Sequence, residues 1–259
     1  MVPRPVPLPA AFLRNPIAHR GYHSLADGRP ENSMGAFRAA VEAGYGIELD
    51  LQQSADGQAM VFHDDDLDRL TERSGLVKDH TAAELGAILL RGSDEPIPTL
   101  AQLLAMVAGR VPLLIEIKEN LATMGPTEGR LEQATADALA SYSGPVAVMS
   151  FNPHCVMHMA RLAPHIPRGL TTEAYNPLEN VPVPAAVCDK LRDIPDYDTT
   201  GSSFISHQAS DLARLRVAEL KAQGASILCW TIRSPEDEAE ARTIAQNITF
   251  ESYPAAILA

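Results

Sequence analysis

The sequence predicts an α/β fold, a (β/α)₈ barrel, and three observations lead to that prediction. Short apolar runs typical of strands begin near residues 17, 47, 112, 146, 168, 204, 226 and 248. Each run is followed by a helix or a loop, and eight such units in 259 residues match the number and length expected for this barrel. No Gly-rich phosphate loop follows the first strand, which disfavours the competing open doubly wound sheet.

Length and composition predict a single domain that covers residues 1–259, with an insertion at about 65–98. Apolar residues make up 46% of the chain and aromatic residues 5%, so the core should consist mainly of Ala, Leu, Val and Ile. The formal net charge of −12 argues against nucleic acid and against anionic membranes as partners. It still permits an anionic small-molecule substrate, because a bound metal and a few basic residues can invert the local field.

The cysteines and the N-terminus predict a reducing, cytoplasmic setting. Cys155, Cys188 and Cys229 are odd in number and widely spaced, which favours neither a disulfide framework nor a metal site. Residues 1–12 contain four prolines and no continuous apolar core, so they do not resemble a signal peptide. No apolar run approaches the roughly 20 residues that a membrane helix requires.

Capping residues define the first strand–helix unit. The apolar run at 17–20 predicts the first strand. Asn32 or Ser33 can cap a helix over 34–43, because both residue types accept hydrogen bonds from the first turn. Gly44 is suited to end that helix, since glycine adopts the left-handed conformation without steric cost.

A β-hairpin is predicted after the second strand, which covers 47–51. Only eight residues separate this strand from the apolar run at 60–63, and they include an Asp-Gly pair, a strong hairpin turn. A parallel crossover needs about a dozen residues, so the run should return antiparallel beside the second strand. This geometry places His63 level with Glu48 and Asp50 and lets the hairpin project above the barrel.

The rest of the chain predicts a regular alternation of strands and helices. Residues 65–98 are polar and irregular, with one short helix near 82–90, and should form an excursion above the sheet. The remaining predicted strands cover 112–117, 146–149, 168–170, 204–206, 226–230 and 248–250. The predicted helices cover 99–107, 128–141, 154–162, 211–223 and 235–245, and a long Pro-rich loop covers 171–201.

The carboxyl ends of all strands meet at one face of a barrel, so polar residues there share one site. That face would hold His19, Arg20, Glu48, Asp50, Glu116, Lys118, Ser150 and Trp230. Side chains two apart on a strand share a face, so Glu48 and Asp50 would repel each other unless a cation lies between them. Oxygen ligands favour Mg²⁺, Ca²⁺ or Mn²⁺ over zinc. The open alternative is an edge strand with a solvated acidic face.

Several short motifs resemble those of the glycerophosphodiester phosphodiesterase family. The first five are His19-Arg20-Gly21, Glu31-Asn32-Ser33, Glu48-x-Asp50, Asp56-Gly57 and His63-Asp64. Further along are Arg69-Leu70-Thr71, Pro98-Thr99-Leu100, Glu116-x-Lys118, Ser150-Phe151 and Trp230-Thr231. The resemblance spans residues 17 to 254 and implies a TIM barrel that hydrolyses glycerophosphodiesters to sn-glycerol 3-phosphate and an alcohol.

The resemblance also implies a role for each residue at the barrel face. Three carboxylates would hold a divalent metal, Mg²⁺ or Ca²⁺: Glu48, Asp50 and Glu116. His19 and His63 would form the acid–base pair. Arg20 and Lys118 would contact the phosphate. Trp230 could form an apolar wall for glycerol, although a single tryptophan is more often a core residue.

Two positions depart from the family pattern. The family usually closes with Thr-Asp-x-Pro, whereas this chain has Ser252 at the Asp position. Asn often follows the Trp-Thr motif, where this chain has Arg233. These departures leave the metal and histidine positions intact and concern the outer substrate contacts. Arg233 is equally compatible with a phosphate or head-group contact and with a surface residue at a helix start.

Three other functions remain as alternatives. The same chemistry could act on a larger lipid, as in a lysophospholipase D-like phosphodiesterase, but residues 171–201 are polar rather than amphipathic. Glycoside hydrolysis by paired carboxylates needs neither two histidines nor Arg20. A barrel that only binds phosphodiesters would not need the complete set of catalytic residues. The head group, the metal, the roles of the two histidines, a cyclic intermediate or direct water attack, and the oligomeric state all stay open.

Overall fold

The protein is described by a computed structural model that covers residues 3–118, 122–177 and 183–257. The strands are β1 Ile17–Ala18, β2 Gly46–Gln53, β3 Ala59–Val61, β4 Leu113–Ile117, β5 Val146–Ser150, β6 Arg168–Thr172, β7 Phe204–Gln208, β8 Ser226–Ile232 and β9 Asn247–Phe250. The helices are α1 Met34–Ala43, α2 Ala82–Leu85, α3 Leu100–Val107, α4 Arg130–Leu139, α5 Pro153–Leu162, α6 Ala185–Leu191, α7 Leu215–Ala222 and α8 Pro235–Ala241. Short 3₁₀ turns occur at Ala10–Leu13, Leu25–Asp27, Val77–Asp79 and Ala209–Asp211.

Within these described ranges, eight parallel strands close into a barrel. The strand order is β1-β9-β8-β7-β6-β5-β4-β2, and β1 pairs with β2 to complete the ring. Closure is visible in the register, since Ile17 lies opposite Gly46 on one side and opposite Thr249 on the other. The predicted (β/α)₈ barrel is therefore confirmed.

The hairpin after β2 has the predicted antiparallel pairing. Leu51 lies opposite Val61, and the β3 strand adds to the end of β2 above the parallel region. Gly57 adopts a φ of +81° in the turn, a conformation that glycine tolerates without cost. The chain then continues from β3 directly to His63 at the same end of the barrel as the carboxylates of β2.

Apolar side chains fill the N-terminal end of the barrel interior. This cluster comprises Leu8, Phe12, Ile17, Leu114, Ala147, Met149, Phe204 and Leu228. Successive side chains on a strand alternate, so residues two apart enter the same interior. Glu116 follows Leu114 in this way on β4, and Trp230 follows Leu228 on β8. The polar residues therefore lie directly above an apolar layer that closes the barrel from below.

The first helix forms where its caps predicted it. Ser33 accepts a hydrogen bond from the backbone N–H of Ala36 at 3.1 Å, and Gly44 ends the helix in the left-handed conformation. Asn32, the other candidate cap, instead has a φ of +56° and directs its side chain to β2. Phe37 and Ala40 bury the inner face of α1 against the main core outside the barrel strands.

The Pro-rich stretch 171–201 was predicted as a loop, and that prediction is wrong in part. It begins with the end of β6 and contains helix α6, while residues 178–182 lie outside the described part of the chain. Pro184 immediately precedes the helix, where a fixed φ and a missing N–H are compatible with helix initiation. Cys188 and Leu191 of this helix pack on Tyr175. This packing buries one face of α6 and could not be predicted from the composition of the stretch.

The excursion above the barrel has its own small core. Its buried residues are Met60, Phe62, Leu67, Leu70, Val77, Leu85, Leu90 and Ile97. The predicted helix at 82–90 is shorter than expected, since α2 ends at Leu85 and Gly86 caps it. Among the described residues, no helix has the length and apolar character needed to cross a membrane.

Candidate active site

One cavity at the C-terminal end of the barrel collects the predicted site residues. All eight of them line it: His19, Arg20, Glu48, Asp50, His63, Glu116, Lys118 and Trp230. The lining is completed by Met149, Phe151, Thr171, Ser206 and Thr249. Residues from β2 and β4 make one wall acidic, while β6, β7 and β9 supply hydroxyl groups on the other side. Ser150 does not reach the cavity, because its hydroxyl donates to the Ile117 carbonyl at 2.7 Å.

Three buried carboxylates form the acidic wall. Glu48 and Asp50 share the inner face of β2, and Glu116 lies directly opposite Asp50 on β4. Their nearest ligand oxygens all lie within 4.8 Å of one another. Burial, reinforced by the charges of Asp50 and Glu116, raises the pKa of Glu48 well above its usual range. Three carboxyl groups at this spacing could hold a metal ion, which would offset the cost of ionising all of them. Their burial excludes the alternative of a solvated edge strand.

Lys118 and Arg20 neutralise only part of this charge. The Lys118 ammonium lies 2.5 Å from Glu116 Oε1 and 3.2 Å from Asp50 Oδ1. Burial acts to raise the pKa of Asp50, but Lys118 and the neighbouring basic groups outweigh it and hold that pKa below its usual range. Glu48 accepts a hydrogen bond from the backbone N–H of Arg20 at 2.9 Å but contacts neither cationic side chain so closely. An all-oxygen set with one carboxylate left uncompensated fits a hard divalent cation such as Mg²⁺ or Ca²⁺.

His19 stands at the edge of the acidic wall with its two nitrogens in different surroundings. Nδ1 lies 2.5 Å from Glu251 Oε2, while Nε2 lies 4.0 Å from Glu48 Oε2. Burial lowers the pKa of His19 and outweighs the opposing hydrogen bond to Glu251. A neutral imidazole with Nδ1–H directed at a carboxylate keeps Nε2 available as a proton acceptor.

His63 has an equivalent carboxylate partner. Its Nδ1 lies 2.6 Å from Asp64 Oδ1, and Arg69 donates two hydrogen bonds to the same carboxylate. Arg69 also donates to both oxygens of Glu31, which in turn accepts from Arg20 at 2.6 Å. This network joins the turn that carries Arg20 to the segment that carries His63. Asp64 is therefore placed to orient the His63 ring.

Trp230 and Phe151 form the apolar part of the cavity. Their rings meet edge to face with centroids 5.5 Å apart. The indole N–H of Trp230 donates to the Ser206 carbonyl at 3.0 Å, which satisfies its single polar group. With that hydrogen bond made, the ring presents an apolar surface to whatever occupies the cavity.

Sequence reasoning missed two residues that contact the predicted site. Asn32 donates to Asp50 Oδ2 at 2.9 Å, although its place before a helix suggested a cap. Glu251 contacts His19, although nothing in the local sequence pairs positions 232 residues apart. Ala18 lies opposite Phe250 in the pairing of β1 with β9, so His19 and Glu251 are the next residues along the two strands. This register could have predicted the contact, but it is known only once the fold is known.

This chain is similar to phosphodiesterases over most of its length. Residues 19–248 match the model of the Glycerophosphoryl diester phosphodiesterase family. YhdW of Bacillus subtilis, which carries a provisional glycerophosphodiester phosphodiesterase name, is 30% identical over 92% of this chain and 94% of its own. A glycerophosphodiester phosphodiesterase of Caldanaerobacter subterraneus is 36% identical over 60% of this chain and 65% of its own. A phosphodiesterase of Oleispira antarctica, solved in complex with the product sn-glycerol-3-phosphate, has a TM-score of 0.74 and 26% identity, covering 94% of this chain and 95% of that chain.

Proposed function

The chain belongs to the glycerophosphodiester phosphodiesterase family, and from that premise we propose that its cavity hydrolyses small glycerophosphodiesters to sn-glycerol 3-phosphate and an alcohol. The observation that carries the proposal is the convergence of three buried carboxylates, two imidazoles and two cationic side chains on one cavity. The Oleispira antarctica structure holds sn-glycerol-3-phosphate as product, which supports the same product here.

Cleavage of a phosphodiester builds negative charge on the non-bridging oxygens, so cations must be held beside them. Glu48, Asp50 and Glu116 would bind Mg²⁺ or Ca²⁺, which when bound supplies a fixed positive charge at the phosphate. Arg20 and Lys118 line the same cavity and would bind the phosphate oxygens directly. Lys118 can exchange its contacts with Asp50 and Glu116 for a phosphate oxygen, since a flexible ammonium reorients at little cost.

His19 and His63 would carry the two proton transfers that the reaction requires. One imidazole would accept a proton from the attacking hydroxyl or water, and the other would donate one to the leaving alkoxide. Both rings have Nδ1 against a carboxylate, so each can exchange its proton through Nε2. An imidazole is suited to both steps because its ordinary pKa lies near neutrality. Trp230 and Phe151 would pack against the carbon chain of glycerol.

The first test is turnover of glycerophosphocholine by the purified protein. Release of sn-glycerol 3-phosphate is measured as isolated, after treatment with EDTA, and after Mg²⁺ or Ca²⁺ is restored. We expect activity to disappear with EDTA and to return with one of the two ions. Lack of activity with each metal, repeated with glycerophosphoethanolamine, glycerophosphoinositol and a lysophospholipid, would favour the binding-only function. Turnover of the lysophospholipid alone would establish the lipid-directed alternative.

The second test separates the histidines from the metal ligands. His19→Asn and His63→Asn should each lower kcat by about 10²- to 10⁴-fold, the range for loss of general acid–base catalysis. The rise in Tm on adding the metal should stay unchanged, because neither histidine is among the three carboxylate ligands. His165→Asn, an exposed histidine remote from the cavity, serves as the control. Near wild-type turnover in either site variant would refute the assignment of that histidine.

A further inference from the structure

We propose that Glu251 is the positioning residue that holds the His19 imidazole with Nε2 directed into the cavity, and that Arg233 holds Glu251 in place. This inference rests on the proposed function of His19 and extends it to two residues outside the cavity lining. Glu251 directly follows the last residue of β9, next to both neighbouring strands.

Strand register places Glu251 between the two residues. On one side β9 pairs with β1, and Ala18 lies opposite Phe250, so His19 and Glu251 are the next pair. The backbone N–H of His19 donates to the Phe250 carbonyl at 2.9 Å, which continues that ladder. On the other side Ile232 lies opposite Phe250, so Arg233 and Glu251 are the next pair along β8. The backbone N–H of Glu251 donates to the Ile232 carbonyl at 3.0 Å.

Both carboxylate oxygens of Glu251 are engaged. Oε2 lies 2.5 Å from His19 Nδ1 and 3.7 Å from His23 Nε2, and Oε1 accepts from Arg233 Nε at 2.8 Å. An ionised carboxylate can only accept hydrogen bonds, so it selects the imidazole tautomer with the proton on Nδ1. The lone pair of the neutral ring is then on Nε2, the nitrogen nearer to Glu48. Glu251 is thus held as a partner of His19, outside the metal-binding group of carboxylates.

One of the two departures from the family pattern, Arg233, makes this contact, and the other, Ser252, follows Glu251 directly. Ser252, at the position where the family usually has Asp, is exposed and has a φ of +69°, so the chain turns away from the cavity there. The residue before it, Glu251, directs its carboxylate at His19. Arg233, the second departure, has a side chain that is 60% exposed and that forms an ion pair with the Glu251 carboxylate. An Arg–carboxylate contact restrains the acid to one orientation, which a longer Glu side chain needs more than Asp does.

A similar arrangement elsewhere on the barrel provides a matched control. Asp211 lies 3.1 Å from His207 Nε2 and accepts a hydrogen bond from Arg214 at 2.6 Å. This carboxylate also joins a buried histidine to an arginine at the end of a strand. His207 is not part of the cavity lining, so loss of its carboxylate partner reports only the structural cost of breaking such a group.

The kinetic test compares Glu251→Gln with Asp211→Asn, both saturated with the activating metal. Glu251→Gln should lower kcat by about 10- to 100-fold, a loss of the size found when the outer partner of a metal-ligating histidine is removed, and should leave KM within about twofold. Glu251→Asp keeps the charge and should recover part of the loss. Arg233→Gln should lower kcat less than Glu251→Gln does. Asp211→Asn should keep kcat within about twofold of the wild-type value, and an equal loss in both variants would overturn the proposal.

A spectroscopic test decides the point even if no diester is turned over. Long-range ¹H–¹⁵N spectra report which imidazole nitrogen carries the proton, and His19→Asn assigns the His19 signals by their loss. We expect His19 protonated on Nδ1 in the wild type, with a downfield proton that moves upfield in Glu251→Gln. The signals of His63, whose partner is Asp64, should not change. A His19 ring protonated on Nε2, or an unchanged His19 signal in Glu251→Gln, would overturn the proposal independently of the reaction.

Discussion

At the scale of single residues, the buried carboxyl groups of the acidic wall destabilise the fold, and Glu48 shows this most clearly. Glu48 is 2% exposed, and among the described residues no Lys or Arg side chain forms an ion pair with it; the neutral His19 ring lies 4.0 Å away. A buried carboxylate without a paired charge is destabilising, and like charges on Asp50 and Glu116 add to the cost. A residue kept in that state has a purpose other than folding, because a neutral side chain of the same shape would satisfy the backbone contact as well.

The first prediction concerns Glu48→Gln without metal. The amide keeps the shape and can still accept from the backbone N–H of Arg20. It removes the cost of burying an ionisable carboxyl group beside Asp50 and Glu116. We expect the metal-free variant to be more stable than the wild type by about 1 kcal/mol, or roughly 2–4 °C in Tm. The rise in Tm caused by Mg²⁺ or Ca²⁺ and the turnover should both be lost.

Thermal unfolding with EDTA and with added metal measures both effects. Glu219→Gln is the control, since Glu219 forms an exposed contact with Arg216 whose removal should change little. A metal-free Glu48→Gln protein that melts below the wild type would show that the Glu48 charge is already compensated in the fold.

At the scale of elements, the turn between β1 and the loop before α1 determines where His19 and Arg20 point. Arg20 and Gly21 both have positive φ, +54° and +81°. The Gly21 N–H donates to the carbonyls of Ala18 and Glu48, both at 3.2 Å, so the turn is tied to its own strand and to β2. The strand therefore ends at Ala18, two residues earlier than its apolar pattern predicted, and this early end frees both side chains to face the cavity.

The second prediction compares Gly21→Ala with Gly224→Ala. A Cβ on Gly21 would lie 2.9 Å from Phe37 Cδ1 and 3.0 Å from the carbonyl carbon of Ala36, whereas one on Gly224 would meet nothing within 4 Å. Both glycines have positive φ, so both variants share the conformational cost of about 1–2 kcal/mol. Gly21→Ala should cost about 1–3 kcal/mol more, because α1 is packed in the core.

Urea denaturation gives the two free energies of unfolding, and the same samples are assayed for turnover. Gly21→Ala should also lose turnover as His19 and Arg20 shift, whereas Gly224→Ala should remain active. Equal destabilisation of the two proteins would indicate that α1 moves aside easily and that the turn is not restrained by packing.

At the scale of the whole molecule, the barrel is apolar below and ionised above. The main core surrounds the strands, and a separate apolar layer closes the N-terminal end of the barrel. Several buried ionisable groups lie toward the opposite end, where strands stop and loops can supply partners. His207, fully buried on β7, is one of them, with Thr172 on one nitrogen and Asp211 on the other.

The third prediction concerns stability against pH. Burial lowers the pKa of His207 below the ordinary 6.5 despite the opposing effect of Asp211. The unfolded chain therefore binds a proton at His207 at higher pH than the folded chain does. The contribution of His207 to the free energy of unfolding is therefore fully present above pH 6.5. It decreases as the pH falls below that value, by up to about 1.4 kcal/mol per pH unit.

His207 should accordingly make the free energy of unfolding, measured between pH 7.5 and about pH 5, fall more steeply toward acid, whereas the raised pKa of Glu48 acts in the opposite direction. His207→Gln should make the slope shallower without abolishing it, since burial also lowers the pKa of His19. His165→Gln, which changes an exposed histidine, should leave the slope as it is. A slope that is the same in His207→Gln and in the wild type would contradict the prediction.

Most of the fold and of the cavity could be predicted from the sequence, because caps, turn residues and strand alternation are local features. Caps placed α1 at Met34–Ala43, and the short Asp-Gly connection required the antiparallel return of β3 that delivers His63. The alternation in β2 separated Glu48 and Asp50 from the apolar residues beside them. Helix α6 escaped prediction because its burial depends on Tyr175 and on partners distant in sequence. The single-domain, cytoplasmic and partner expectations, as well as the roles of individual site residues, stay predictions.

The sequence by itself determined the strand pattern, the barrel and the set of side chains at its C-terminal face. These follow from periodicity and spacing, which act over a few residues and can therefore be recognised along the chain. Only the tertiary structure decided which distant groups meet. Barrel closure brings β9 beside β1 and so places Glu251 against His19, a contact that depends on interstrand register rather than on local sequence. The parallel pairing of β2 with β4 puts Asp50 opposite Glu116, although the chain separates the two residues by the whole excursion above the barrel.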